Sequence, residues 1–268
     1  MNLFFTLLIF VLGLVIGSFL NCLIYRLETG GNFSKGRSFC PHCKHTLSWQ
    51  DLIPVFSFLF LKGKCRYCGK PISFQYPLVE IFTGFLFVFI FNFVFKIQLF
   101  NFENILNLLF LIVISCFLIV IFVFDLKHFI IPDKVVYPAI IFAIIYSIFY
   151  FIFVIGDSGL LIQYSISAFL AAAFFLLIVL VSRGRWMGIG DIKLAFLMGL
   201  FLGWPNILTA LFLAFFIGAI IGLGLIVLKR KTLKSEVPFG PFLVAGTFLA
   251  LFWGEKMLDW YLNLFLLK

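Results

Sequence analysis

The amino-acid sequence predicts an all-α polytopic membrane protein with about eight transmembrane helices. Of its 268 residues, 64% are hydrophobic, only 12% are charged and 41 are Phe. A soluble domain could not cover so much apolar side chain with so little polar surface. Apolar runs of membrane-spanning length recur along the chain, and each crossing needs about 20 such residues. These observations exclude a soluble fold.

The predicted spans follow the apolar runs in chain order. The first run is too long for a signal peptide and lacks a basic start and a small-residue cleavage site, so it is predicted to be retained. The sixth is short and ends at a turn signal, Gly203-Trp204-Pro205-Asn206, and the eighth contains Glu255 and Lys256. The predicted ranges are 3–24, 78–95, 104–124, 135–155, 160–181, 190–203, 206–228 and 239–266.

The basic residues predict the orientation of the chain. All 20 Lys and Arg residues except Lys96, Lys256 and Lys268 fall in or beside the first, third, fifth and seventh connections. The positive-inside rule then makes these connections cytoplasmic and puts the N-terminus outside. The net charge of +9 reflects topology and contact with anionic membrane lipids, and no nucleic-acid partner is predicted.

The only sizeable polar insert lies between the first two spans, at residues 26–77. It contains Cys40-Pro-His-Cys43 and Cys65-Arg-Tyr-Cys68. Two such pairs about twenty residues apart predict a zinc-ribbon-like, four-thiolate site. Disulfides are the alternative, which a reducing compartment disfavours. Four thiolates close the coordination sphere, so the Zn²⁺ is predicted to be structural, and so small an insert would fold only with its metal.

Two acids fall at the edges of spans, where a carboxylate is costly and usually functional. Asp125 closes the apolar run 108–124, and Asp191 opens the sixth span. Asp191 could merely cap its helix, whereas Asp125 lies at a helix end whose dipole disfavours it. Asp133 follows Pro132 and is predicted to cap the next span. Two adjacent carboxylates share one proton, so the pair predicts aspartic-peptidase chemistry.

Two glycines precede the second acid, in Gly188-Ile189-Gly190-Asp191. Glycine permits close backbone approach and strained angles, which a bound extended peptide needs. Helix packing is the alternative, and the pattern is not the G-x-G-x-x-G of a dinucleotide site. Lys193 could contact headgroups or tune the acid. The chain contains neither G-x-S-x-G nor H-E-x-x-H.

These residues together resemble the bacterial prepilin peptidases, the type IV leader peptidase family. The resemblance covers nearly the whole chain and combines several motifs. Gly-x-Gly-Asp also occurs in presenilin-like and archaeal preflagellin peptidases, but the four-cysteine insert is typical of the bacterial, bifunctional branch. The matching segments are Gly17–Asn21, both cysteine pairs, 49–54, Tyr76–Glu80, Asp125, 131–133 and Gly188–Lys193.

The resemblance implies an aspartic endopeptidase of the bacterial inner membrane that removes a short basic leader from prepilins and pseudopilins on the cytoplasmic side. It implies Asp125 and Asp191 as catalytic residues, with Gly188, Gly190, Lys193, Pro132 and Asp133 around them. It also implies N-methylation of the newly exposed residue with S-adenosylmethionine. Candidates for that second site are Gly17, Ser18, Asn21 and Glu80.

Simpler interpretations of these four residues stay open. They are helix packing for the first three and a dipole-favoured first-turn acid for Glu80. The expected organisation is a first transmembrane helix (1–25), a zinc-binding insert associated with methylation (26–77) and a transmembrane aspartic peptidase domain (78–268). Other functions also stay open: a transporter or channel using the acids as a cation or proton relay, a noncatalytic assembly scaffold, or a peptidase without methylation.

Overall fold

The computed structural model describes residues 3–31, 36–95, 101–228 and 237–266, and helices dominate these ranges. A 3₁₀ turn (Trp49–Leu52) lies in the insert, and a π-helical segment (Phe149–Ile155) continues α5. The only β-pairing among the described residues is two isolated bridges in the insert. The helices are α1 (Leu3–Thr29), α2 (Phe56–Phe60), α3 (Gln75–Val94), α4 (Phe102–His128), α5 (Asp133–Ile148), α6 (Ser158–Ser182), α7 (Ile189–Leu202), α8 (Asn206–Val227) and α9 (Gly240–Leu266).

Within the described ranges, seven helices are long and apolar enough to cross a membrane: α1, α3, α4, α5 with its continuation, α6, α8 and α9. Only helices satisfy every backbone polar group within one segment in lipid, so apolar runs of this length fold this way. A helix lies at each of the eight predicted spans. The sixth, α7, has 14 residues, which makes it about 21 Å long, shorter than the roughly 30 Å hydrocarbon core.

The chain divides into two compact units, residues 1–120 and 121–268. In the first, α1 packs closely on α3 because glycines face the contact. A Cβ on Gly13 would lie 2.7 Å from the Cα of Gly84, and one on Gly17 would lie 2.7 Å from the Cα of Glu80. Small residues allow such backbone approach between membrane helices.

In the second unit, α7 packs on α5, α6 and α9, and α8 packs on α9. Gly199 of α7 meets the backbone of Ala168, so no side chain fits there. Phe175, Leu194 and Met198 are fully buried in this core. The packing fixes the first turns of α7 and α9, where the candidate site lies.

Several basic residues used to predict the orientation lie outside the described residues: Lys35, Lys96, Lys229, Arg230, Lys231, Lys234 and Lys268.

Candidate active site and metal centre

Asp191 is the third residue of α7, and its side chain caps the start of that helix at the N-cap residue Gly188. The backbone amide of Gly188 donates to Asp191 Oδ2 at 3.0 Å. This bond and the positive end of the helix dipole hold the carboxylate in place. The Asp191 side chain is nevertheless buried, which capping alone does not require. Its position therefore suits both a structural and a chemical role.

Asp125 lies in the last turn of α4, which ends at His128, where the helix dipole disfavours an acid. The first residue of α9 supplies the compensation. The backbone amide of Gly240 donates to Asp125 Oδ2 at 3.0 Å, and the contact is buried. A helix N-terminus stabilises a carboxylate through its dipole and its unpaired amides. The start of α9 thus explains how Asp125 is stabilised at a helix end that disfavours an acid.

The structure brings the two acids together. The Asp125 carboxylate lies close enough to interact electrostatically with Asp191. Together with Glu80, they are the buried acids among the described residues. Two carboxylates within electrostatic range of each other repel when both are ionised.

The two glycines before Asp191 differ in how much space their surroundings leave for a side chain. A Cβ on Gly190 would lie 2.9 Å from the Cβ of Ile131, so the start of α7 approaches the segment before α5 too closely for a side chain. A Cβ on Gly188 would meet nothing nearer than 3.8 Å. Close packing therefore accounts for Gly190 but not for Gly188.

The predicted cap role of Asp133 is wrong. Pro132, in extended conformation, is the N-cap of α5, and Asp133 is the first helical residue. Its carboxylate instead accepts a hydrogen bond from Lys193 Nζ at 2.6 Å. Lys193 also lies over the ring of Tyr137, 4.8 Å from its centroid. This ion pair ties the first turn of α5 to the first turn of α7.

Gly240 is a site residue that sequence reasoning missed. A Cβ there would lie 2.5 Å from Asp125 Oδ2, so any side chain at this position would displace the carboxylate. The one sequence feature that could have indicated its role is its position between Phe239 and Pro241, at the start of the last apolar run. Nothing in that run identifies which distant acid it meets.

The four predicted cysteines of the insert form one cluster. The Sγ atoms of Cys40, Cys43, Cys65 and Cys68 all lie within 4.8 Å of one another, and those of Cys40 and Cys68 are 3.9 Å apart. A tetrahedral zinc with bonds of about 2.3 Å requires sulfur–sulfur distances of roughly 3.8 Å. The donor set and its spacing therefore fit structural Zn²⁺.

The two cysteine pairs have the same local fold. The amide of Cys40 donates to the carbonyl of His45 at 2.9 Å, and the amide of Cys65 donates to that of Lys70 at 2.8 Å. Lys44 and Gly69 occupy equivalent positions, and both have positive φ angles, 60° and 69°. Each pair is thus a matched turn that directs two sulfurs to one centre.

The candidates for the second site meet where α1, α3 and the insert join. Glu80 is buried, and its Oε2 accepts the amide of Val55 at 2.8 Å. The Ser18 side chain also hydrogen bonds to this carboxylate. Asn21 Nδ2 donates to the carbonyl of Tyr76 at 3.0 Å.

Two of the simpler interpretations can be judged from this geometry. The first turn of α3 holds no acid, so the first-turn interpretation of Glu80 is wrong. Glu80 lies farther along the helix and holds the insert through Val55. Gly17 does lie at the closest approach of α1 and α3, as the packing interpretation expects. Close by, Gln75 Nε2 donates to Asn21 Oδ1 at 3.2 Å, while the buried Gln75 Oε1 has no partner among the described residues.

The fold and the site define a class: a helical, multi-pass membrane protein with a buried pair of carboxylic acids and a separate four-thiolate centre. Comparison with known families is consistent with both parts. Residues 11–94 match the bacterial peptidase A24 N-terminal domain, and residues 112–223 match the type IV leader peptidase family.

Relatives similar to this chain are named prepilin leader peptidase/N-methyltransferase. The protein of Aeromonas hydrophila is 32% identical over 97% of this chain and 94% of its own length. That of Bacillus subtilis (strain 168) is 31% identical over 96% and 98%, and that of Legionella pneumophila is 32% identical over 97% and 95%. The chain belongs to the type IV leader peptidase family, a family of aspartic peptidases. No solved structure matches it.

Proposed function

We propose that this protein removes the leader of prepilin-type substrates with Asp125 and Asp191 as its catalytic pair. The single observation that carries the proposal is that these two buried acids, at the ends of different helices, lie within electrostatic range of each other. The family and the names of its relatives support the reaction.

In the proposed mechanism the pair shares one proton. The ionised carboxylate takes a proton from the attacking water as its oxygen bonds to the scissile carbonyl carbon, while the protonated acid donates a hydrogen bond to the carbonyl oxygen. The C–N bond then breaks, and the proton taken from water passes to the leaving amine. The amides of Gly188 and Gly240 orient one acid each. Neither a metal nor a nucleophilic side chain takes part in this route.

We further propose that the enzyme N-methylates the residue exposed by cleavage. Relatives along the full chain carry this activity in their names. The polar group of Ser18 and the buried Asn21 and Glu80, beside the unpaired Gln75 Oε1, would hold S-adenosylmethionine, which supplies an activated methyl group when bound. Zn²⁺ on the four cysteines would fix the insert that covers this group.

The proposed setting is the bacterial inner membrane. The basic connections would face the cytoplasm and the N-terminus the opposite side, so that the insert and the acid pair share the cytoplasmic face. The substrate's apolar helix would lie beside the spans, which sets its leader junction at the acid pair. Residues 1–25, 26–77 and 78–268 would then serve as first span, zinc-binding insert and peptidase domain.

Mass spectrometry of a prepilin-like peptide, incubated with purified enzyme with and without S-adenosylmethionine, tests both activities. The peptide carries a basic leader ending in Gly, followed by an apolar helix. We expect leader loss in both samples and a gain of one methyl group only with the cofactor. Absence of cleavage contradicts the peptidase proposal, and cleavage without methylation contradicts the second one.

Asp125→Asn and Asp191→Asn are each expected to lower the cleavage rate by at least about 1,000-fold, because an amide cannot exchange the proton. Membrane insertion and the thermal unfolding midpoint of both variants should stay near those of the wild type. Asp157→Asn, at the cap of α6, is the matched control and should cleave normally. Full cleavage by either pair variant would rule out the assigned chemistry.

A further inference from the structure

The insert carries an exposed apolar helix. In α2, the side chains of Phe56, Leu59 and Phe60 are exposed, and Phe60 reaches 83%. Phe58 points the other way, its ring 5.2 Å from that of Phe74. Exposed clusters of large apolar side chains mark interaction surfaces in proteins, and neither proposed reaction uses this one.

The surface continues the outer stripe of a membrane-spanning helix. Phe74 immediately precedes α3, and exposed apolar residues follow at helical spacing: Leu78, Phe82 and Phe85. Since α3 is long and apolar enough to span the bilayer, this stripe meets lipid. The ring contact between Phe58 and Phe74 places α2 at the end of that lipid-facing stripe.

Basic residues follow the same helix along the chain. Lys62, Lys64 and Lys70 are exposed just after α2, and Asp51, which pairs with Arg66, is the only acid between residues 36 and 74. Aromatic residues at headgroup depth flanked by basic side chains are typical of interfacial segments that bind anionic bilayers.

We infer that α2 is an interfacial anchor, which inserts Phe56, Leu59 and Phe60 into the leaflet next to the insert while Lys62, Lys64 and Lys70 contact anionic headgroups. The occupant of this surface is lipid. The anchor holds the four-cysteine centre against the membrane surface at the start of α3. This inference rests on the structure of the insert and is independent of the proposed reactions.

Photocrosslinking of the full-length enzyme tests the anchor. Phe60→p-benzoylphenylalanine is introduced, and the protein is reconstituted in vesicles of phosphatidylethanolamine and phosphatidylglycerol with a prepilin-like peptide present. After irradiation, mass spectrometry identifies the partner. His42→p-benzoylphenylalanine is the matched control, because His42 is exposed on a cysteine turn of the same insert.

We expect lipid adducts at position 60 at least five times more abundant than at position 42. Adducts with the peptide or with a second copy of the enzyme, or lipid adducts no more abundant than at position 42, overturn the inference. The yield at position 60 should also fall at least twofold in vesicles without phosphatidylglycerol. An unchanged yield contradicts the role of the three lysines. Because residue 60 is exposed, the substitution leaves the core of the insert intact.

Discussion

Each carboxylate of the candidate pair accepts a hydrogen bond from one backbone amide at the start of a helix. For Asp191 the amide is that of Gly188, the N-cap of its own helix, and the sequence predicted only that Asp191 could cap that helix. For Asp125 the amide of Gly240 comes from a helix 115 residues farther along the chain. A contact between such distant residues depends on tertiary packing, which no local pattern encodes.

Gly240→Ala should therefore impair cleavage. The new Cβ would lie 2.5 Å from Asp125 Oδ2, so the carboxylate must move, and a displacement near 1 Å can cost about 100-fold in rate. We expect kcat to fall between about 10-fold and 100-fold with KM nearly unchanged, as measured by steady-state peptide cleavage.

Gly222→Ala, on an open face of α8, is the control for a glycine replaced within a span and should cleave normally. The thermal unfolding midpoint of each variant separates misplacement of Asp125 from loss of fold. A normal kcat for Gly240→Ala would show that Gly240 does not position the acid.

The environment of Asp51 in the insert favours its ionised form. Burial opposes ionisation, but hydrogen bonds from Ser48, Arg66 and Tyr67 outweigh it and lower the pKa of Asp51 below its ordinary 3.8. A lowered pKa in the folded state stabilises that state above pH 3.8, and this contribution is lost as the pH falls through the folded-state pKa.

Asp51→Asn should thus destabilise the insert by about 1 kcal/mol near neutral pH, since Ser48, Arg66 and Tyr67, which are at least partly exposed, lose a charged acceptor. Amide hydrogen exchange of residues 48–68 in the full-length protein measures this. The difference from wild type should shrink below pH 3.8, and Gln50→Ala should show none. A difference that persists unchanged at pH 2 would contradict the role of the ionised carboxylate.

At the scale of helices, the apolar runs predicted almost every boundary to within a few residues, because spanning length is a strong constraint in lipid. The predicted cap at Asp133 failed because Pro132 takes that position, which frees the carboxylate for Lys193. Pairings of this kind between helix starts depend on packing. The cysteine spacing, by contrast, predicted its cluster fully, since four sulfurs of two short turns can meet at only one centre.

The Lys193–Asp133 pair joins two helices but is partly solvent-exposed, with 21% and 59% of the two side chains accessible. Exposed ion pairs contribute about 0–1 kcal/mol. Lys193→Met and Asp133→Asn should each slow peptide cleavage less than about 10-fold. A loss by Lys193→Met as great as that of Asp191→Asn, without a matching loss by Asp133→Asn, would give Lys193 a part in the reaction itself.

At the scale of the whole molecule, the metal centre and the acid pair lie in different compact units, residues 1–120 and 121–268. We expect the two activities to separate accordingly. Chelation of the metal, or Cys40→Ser, should raise hydrogen exchange across residues 36–74 and lower methylation more strongly than leader removal.

Cys116→Ala, which removes a thiol outside the cluster, is the matched control for this prediction. Mass spectrometry of the peptide product reports cleavage and methylation in the same sample. An insert that keeps its protection without metal would contradict the structural role of zinc. Equal loss of both activities would contradict their separation.

The short length of α7 affects how water, the second reactant of hydrolysis, reaches a site within the membrane. A helix of 14 residues falls short of the hydrocarbon thickness by about 9 Å. Because most of its side chains are buried by neighbouring helices, the shortfall leaves an indentation in the protein rather than in the bilayer. Because Asp191 lies in the first turn of this helix, we expect the indentation to form on its side. It would admit solvent to the scissile bond while the neighbouring long helices keep the barrier sealed.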